Sequence, residues 1–359
     1  MKKENGITLV TLIVSIIVLL ILATVSISLV INKGILDKAK SGVDKYSKEE
    51  ILEQWKTALA EYEMSQFTED TANIQARLEK IYGAGNVTDV IAENGILVAK
   101  INNAGEEKTY CFKSSKGNME EVQLISEEES FIGYYADIDE DGNVDGIIFA
   151  DLAFSKSGQW KNSNGAYSYT AKSGLKKYYK SNEKYDGNFG KNYVISPIGN
   201  NNEKRFYIMS LSDFKANNYS SFYWYKNASG NMNPLVTSNN FGQGKENTRK
   251  MIDKWNAAGT TSGYSNSIQD DRDIWKYVQI KYKEGWFIPS RGESAAFSNE
   301  LSISSNEKRD LYKLSSTYWT SSQKDSIRAW SPYYYGSYYN MEDYGVKSYT
   351  FRVRLATTF

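Results

Sequence analysis

Gly285-Trp286-Phe287-Ile288-Pro289-Ser290-Arg291-Gly292-Glu293 is the stretch on which the fold of the C-terminal half turns. It runs into Ala295-Ala296-Phe297, where a helix starts, and Arg291 and Glu293 read as a structural pair or a cap for that helix. Tyr318-Trp319-Thr320-Ser321-Ser322 follows, then Ala329-Trp330, then a closing segment from Tyr349 through Ala356. In that segment Arg352 and Arg354 alternate with Phe351, Val353 and Leu355, the period of a half-buried strand. Upstream, the spacing predicts a helix over 247–258 with Met251, Ile252 and Trp255 on one face, capped by Asn247 or Thr248. A second helix is predicted over 270–283, with Ile274, Trp275, Val278 and Ile280 as apolar positions and Asp270 or Asp271 as cap. The rest of this half, rich in Gly, Asn, Ser, Tyr and Trp, reads as short strands and long loops.

This order of segments resembles the C-type-lectin-like fold of formylglycine-generating-enzyme relatives and of the variable proteins of diversity-generating retroelements. In that family a Trp-Phe/Arg-x-Pro-Ser/Thr-x-x-Glu segment opens a helix, a Tyr-Trp-Ser/Thr-Ser-Ser strand follows, and a Val-Arg strand closes the chain. The resemblance covers 131–359, and its specific motifs lie in 285–359. The formylglycine-generating activity does not carry over, because it uses active-site cysteines and the single cysteine, Cys111, lies upstream. What the resemblance implies is a scaffold with a variable binding face, which a retroelement diversifies by mutation at adenines.

That face falls on Tyr333-Tyr334-Tyr335-Gly336-Ser337-Tyr338-Tyr339-Asn340-Met341-Glu342-Asp343-Tyr344. Seven of the 17 residues over 333–349 are Tyr, with Ser, Asn, Asp and Gly between them. This is the make-up of an antibody-like paratope, in which rigid amphipathic rings anchor and short polar residues adapt. Side chains alternate along a strand, so neighbouring tyrosines cannot all enter one core and some must be exposed. The expected ligand residues are Tyr318, Arg328, Ser331, Tyr333, Tyr334, Tyr335, Ser337, Tyr338, Tyr339, Asn340, Asp343, Tyr344 and Ser348. The plainer alternative is a wet, Tyr-rich β-surface without a special role. The expected partner is an external protein or glycan.

The N-terminal half carries a different signal. Lys2 and Lys3 precede an uncharged run over 7–31. Twenty-five residues at helical rise span roughly 37 Å, more than the ~30 Å hydrocarbon layer. The two lysines would hold the N-terminus in the cytoplasm. The helical spacing continues through Ile35, Ala39, Val43, Tyr46, Ile51, Trp55, Leu59 and Tyr62, which predicts one helix over 7–64, transmembrane in its first half and amphipathic in its second. A secretory signal peptide and a plain signal anchor are the competing readings.

A short basic leader (1–6) ending in Gly6, with Ile7 next, resembles a type IV prepilin. The resemblance implies cleavage by prepilin peptidase between Gly6 and Ile7, methylation of the new Ile7 amine, and other pilins as partners in a pilus. Thr11 stands where that family has Glu, which leaves filament assembly open. Together these imply a single-pass protein of the bacterial cell membrane with its C-terminal domain extracellular. A structural minor pilin or pseudopilin is the rival function.

Past 65 a short helix is predicted around 74–81, then strands near Val90-Ile91, 95–101, 109–112 and 122–125, so 32–126 reads as a pilin-like helix with a small antiparallel head. Glu127-Glu128-Glu129 reads as a boundary before the domain over 131–359. The expected class is α+β in both parts.

One motif has metal-binding chemistry. Asp137, Asp139, Asp141, Asn143 and Asp145 occupy alternate positions of an acidic loop, with Gly142 at its sixth position. Alternate carboxylates converging on one cation follow calcium-loop logic. Ile148 stands at position twelve in place of a bidentate Glu, so the loop resembles the short calcium loops of secreted modules, and Ca2+ is the one cofactor considered. The alternative is an acidic turn between Tyr134-Tyr135 and Ile147-Ile148-Phe149.

Composition narrows the function. Lys plus Arg balance Asp plus Glu at 43 each, against the basic field a nucleic-acid binder needs. No His is present, which removes Ser-His-Asp and Cys-His catalysis. The expectation is therefore a binding protein rather than an enzyme.

Overall fold

The computed structural model describes residues 35–65, 71–93, 96–103, 105–115, 118–154, 159–162, 165–168, 172, 178–185, 191–198, 204–227, 235–258, 269–335, 338–340 and 343–359. The chain forms two compact units, one up to Glu120 and one from Glu121 to Phe359.

The first unit has helix α1 (Ile35–Ser65), helix α2 (Thr71–Tyr82) and strands β1 (Val87–Glu93), β2 (Ile96–Asn103), β3 (Glu106–Ser115) and β4 (Asn118–Glu121). The strands form an antiparallel meander in chain order. Ile51 and Trp55 on α1, and Ile74 and Leu78 on α2, are spaced four apart and so share one helix face. All four are buried, in one core with Leu97, Ala99, Ile101 and Phe112 of the sheet. Val43 and Tyr46, expected on the same stripe, are exposed.

Three expectations are corrected here. The long N-terminal helix that would cross a membrane is not supported: among the described residues no helix is long and apolar enough to do so. The described helix α1, from Ile35 onward, carries Asp, Glu and Lys along its length, and hydrocarbon cannot solvate such groups. The fold class changes with it, from α+β built on a long membrane helix to mostly β-sheet with a few helices. The membrane as a partner, and single-pass placement in a bacterial cell membrane, lose the helix on which they rested. The apolar run over 7–31 and the Gly6-Ile7 site lie outside the described residues.

The second unit is organised on a seven-stranded sheet. Its strands are β5 (Gln123–Leu124), β6 (Tyr134–Ala136), β7 (Gly146–Asp151), β10 (Tyr178–Lys184), β11 (Lys191–Pro197), β12 (Phe206–Ser210) and β20 (Ala356–Thr358). The order is β20-β12-β7-β6-β11-β10-β5, with β6 and β11 parallel and the other pairs antiparallel. A separate hairpin joins β8 (Gln159–Asn162) and β9 (Gly165–Ser168).

A buried ion pair ties the start of this unit to the sheet. Arg205 Nε donates to Asp151 Oδ1 at 2.8 Å, and Nη2 donates to Asp151 Oδ2 at 3.1 Å. The guanidinium also donates to the Ser126 carbonyl and lies between the Phe131 and Phe206 rings. The segment over 121–131 therefore belongs with this unit. Both side chains are shut from solvent, and the bidentate fork plus the carbonyl offset the desolvation of two charges.

Four helices follow: α3 (Gly244–Ala258), α4 (Ile274–Lys283), α5 (Arg291–Glu300) and α6 (Asn306–Leu311). α3 and α4 fall where the two helices are expected, but α3 starts at Gly244, so Asn247 and Thr248 lie inside it and do not cap it. Met251, Ile252, Trp255, Ile274, Trp275 and Val278 are buried together, while Ile280, expected among them, is 64% exposed. Asp273 is the N-cap of α4, in place of Asp270 or Asp271. At α5 Ser290 and Glu293 form a capping box, so Glu293 is a cap and not the partner of Arg291.

Candidate functional site

The end of the chain builds a platform of short strands. β14 (Ser316–Thr317), β16 (Tyr333–Tyr335) and β17 (Tyr338–Asn340) form one sheet. β15 (Arg328–Trp330) and β18 (Tyr344–Val346) form a two-stranded ribbon, and β13 (Phe222–Tyr223) pairs with β19 (Thr350–Phe351).

The platform rests on the Tyr318-Trp319-Thr320-Ser321-Ser322 segment, which is buried throughout. Trp319 Nε1 donates to the Phe222 carbonyl at 2.8 Å, and Trp224 Nε1 donates to the Thr320 carbonyl at 2.7 Å. Ser321 N donates to the Pro289 carbonyl, which joins this segment to the Pro289-Ser290 turn before α5. Below α5, both carboxylate oxygens of Glu293 accept backbone N–H groups, from Ser290 and from Gly244. Burial raises its pKa to about 7.

Arg352 and Arg354, two apart in the segment between β19 and the final strand, both reach Asp213. Tyr318 OH also donates to Asp213, at 3.3 Å. Beneath β16 a cavity of about 20 Å³, lined by Tyr318, Tyr334, Pro332, Phe297 and Arg354, has room for one water molecule and nothing larger. Anything larger than water would have to lie on the surface here.

The ribbon carries that surface. Ala329 and Gly345 face inward as a cross-strand pair. A Cβ at Gly345 would lie 2.8 Å from Trp319 Cη2 and would overlap the Phe351 ring, so the underside accepts no side chain. Period-two alternation then puts Arg328 and Trp330 on the outer face, opposite Val346 and Tyr344. The Trp330 and Tyr344 rings meet edge to face at 6.2 Å and 89°.

Cations pack on both rings. The Arg291 guanidinium lies 4.0 Å from the Trp330 ring centre, and the Arg328 guanidinium 4.7 Å from that of Tyr344. The Lys324 ammonium packs against Tyr344 and lies 5.0 Å from the Trp330 ring centre. Arg328 is also held by Asp325, Nε to Oδ2 at 2.6 Å, which raises its pKa. Ile327, Tyr344, Ser348 and Tyr349 are exposed around this group. Beneath it Lys347 is buried, donating to the carbonyls of Asp325 and Ser326, and desolvation lowers its pKa to about 7.

The expected ligand residues divide. Arg328, Tyr344 and Ser348 lie on the outer face; Tyr333, Asn340 and Asp343 are half-buried near it. Tyr318, Tyr334 and Ser331 are buried, and Tyr334 OH bonds Ser298 Oγ at 2.6 Å. Tyr335, Tyr338 and Tyr339 lie on described strands, but their side chains and the whole of Ser337 fall outside the description. Lys324, Ile327, Trp330 and Tyr349 were missed as site residues. A surplus of Tyr flagged the region, but nothing in the sequence flags Lys324, which is one polar residue in a loop.

The acidic loop is the β6–β7 hairpin connection. Carboxylate oxygens of Asp137, Asp139 and Asp145 lie within 4.8 Å of one another and could hold a cation. Asp141 turns instead to Asn143, accepting from its backbone N at 2.7 Å and from Nδ2 at 3.0 Å, which lowers the Asp141 pKa. Burial raises that of Asp145.

No family model matches the chain, and no curated protein matches it. Among solved structures, a fimbrial protein from Bacteroides ovatus ATCC 8483 aligns with a TM-score of 0.29 at 14% identity, over 74% of this chain and 58% of that one. The chain thus spans less than two thirds of that protein's length, and so loose an overlap carries no argument about fold or function.

Proposed function

We propose that the second unit is a recognition module whose ligand, an external protein or glycan, docks on the outer face of the β15–β18 ribbon. One observation carries this reading. The ribbon's underside is locked against Trp319 and Phe351, while its outer face exposes an aromatic and cationic surface of the kind that dominates binding energy at interfaces. A rigid base under a Tyr-rich tip lets the tip vary without unfolding the base. The motif order resembling retroelement variable proteins supports the same reading, with the variable stretch over 333–349. The absence of His and of a cysteine in this unit supports recognition over catalysis.

The test is a binding screen of the full chain against a random-peptide library and a glycan array. Ligands retained by the wild type should be lost by Tyr344→Ser and Tyr349→Ser proteins that melt normally. Ligands that bind both variants as well as the wild type would sink the reading. Separately, sibling copies of the gene should differ mostly over 333–349, and uniform variation would remove the retroelement.

A further inference from the structure

On the outer face Lys324 is a cation that, among the described residues, the fold holds but does not neutralise. Lys324 is fixed at its backbone, donating its N–H to the Arg328 carbonyl at 3.0 Å. Its ammonium is fixed by two rings, Trp330 and Tyr344. An ammonium carries three donors, and ring faces satisfy its charge but accept no conventional hydrogen bond. Among the described residues no carboxylate lies within ion-pair distance of it, whereas its neighbour Arg328 is taken by Asp325. Trp330 adds a second unmade bond: its Nε1–H is enclosed and has no acceptor among the described residues. That N–H is shut from solvent, so it is the half-buried Lys324 ammonium that calls for an acceptor, one that the ligand must bring.

The surroundings say what else the ligand carries. Ile327 is 45% exposed, Tyr344 40% and Tyr349 58%, so apolar contact area flanks the cation. A sulfated sugar would use the charge and leave Ile327 bare. A peptide segment with an acidic residue beside an apolar one uses both. We propose that Lys324 is the seat for a carboxylate on an acidic peptide segment of a protein partner, gripped between Trp330 and Tyr344 with the apolar neighbour on Ile327 and Tyr349. This rests on the recognition reading above and names its partner class.

The experiment selects a random dodecapeptide phage library on the full chain, then measures the winners by fluorescence anisotropy against wild type, Lys324→Gln and Trp330→Phe, with a heparin oligosaccharide as a parallel probe. Selected peptides should be enriched in Asp or Glu next to an aromatic or aliphatic residue. Lys324→Gln should weaken them at least about tenfold and flatten their salt dependence. Trp330→Phe keeps an aromatic face for the ammonium but a smaller one without the N–H, and should weaken them a few-fold with the salt dependence intact. Unchanged melting curves exclude misfolding. Peptides that need Tyr344 and Tyr349 but show no acidic enrichment, or ignore Lys324→Gln, overturn the carboxylate seat and leave the recognition reading standing. Heparin binding that needs Lys324, without any acidic peptide, overturns the peptide partner. If neither probe engages this face, the seat and the recognition reading fall together.

Discussion

Gly345 lies so close against Trp319 that even one methyl group at residue 345 would press on the indole at 2.8 Å. Both partners are buried, and Trp319 is anchored by its hydrogen bond to the Phe222 carbonyl, so neither can move away cheaply. This contact sets the height of the β15–β18 ribbon above the core.

Gly345→Ala should therefore cost about 1–3 kcal/mol, the usual range for overpacking a filled core. Gly42→Ala is the control. It lies on the exposed face of α1 with open space around it, and should stabilise by about 0.5–1 kcal/mol through helix propensity. Chemical denaturation of both variants checks the contrast. Equal effects would show that the ribbon is not seated on Trp319.

The buried Arg205–Asp151 pair should be expensive to break and cheap to replace. Arg205→Met leaves Asp151 charged and enclosed, and should destabilise by about 3–5 kcal/mol. The double variant Arg205→Met with Asp151→Leu should recover most of that loss. A double-mutant cycle on denaturation free energies measures it; additive losses would mean that the two residues do not act as a pair.

Glu293 gives a signed pH effect. Its folded pKa is about 7 against an ordinary 4.5, raised by burial. The unfolded state therefore ionises first as pH rises. The contribution to stability is whole below about pH 4.5, falls through the window between the two values and is gone above about pH 7. Its size is about 3 kcal/mol at 1.36 kcal/mol per pH unit. Glu293→Gln should lose this slope between pH 4.5 and 7, apart from what Asp273 contributes in the same window. Parallel pH profiles for variant and wild type would refute the assignment.

The tyrosines should separate into two classes. Tyr318→Ala and Tyr334→Ala empty buried volume and break hydrogen bonds to Asp213 and Ser298, so each should cost about 3–5 kcal/mol. Tyr349→Ala, on the exposed rim, should change stability by no more than about 0.5 kcal/mol. Melting temperatures decide it, and a large loss at Tyr349 would place that ring in the core.

By itself the sequence determined what depends on near neighbours. Periodicity over three and four residues placed α3 and α4, because a helix buries one stripe and the stripe is written locally. The alternation of Arg352 and Arg354 with Val353 and Leu355 predicted a half-buried strand, whereas Arg354 is buried beside Val353 and Leu355 in a segment that is not strand; the excess of Tyr over 333–349 did mark the region of the candidate face. The same local reading failed where hydropathy in one segment was extended into the next, so that the charged α1 was read as the continuation of a membrane helix. Tertiary structure alone decided which tyrosines face in. Alternation says that neighbours part, but only the packing of Ser298 and Asp213 beneath them says which side is the core. It also decided the site's charge. Asp213 meets Arg354 across 141 residues of chain, and Lys324 in the loop before β15 meets Tyr344 on β18, contacts for which no short-range pattern exists. The ribbon that the sequence marked only by its tyrosines is held up by a glycine and flanked by a lysine packed on its rings, because close approach and ring contact are properties of space rather than of spacing.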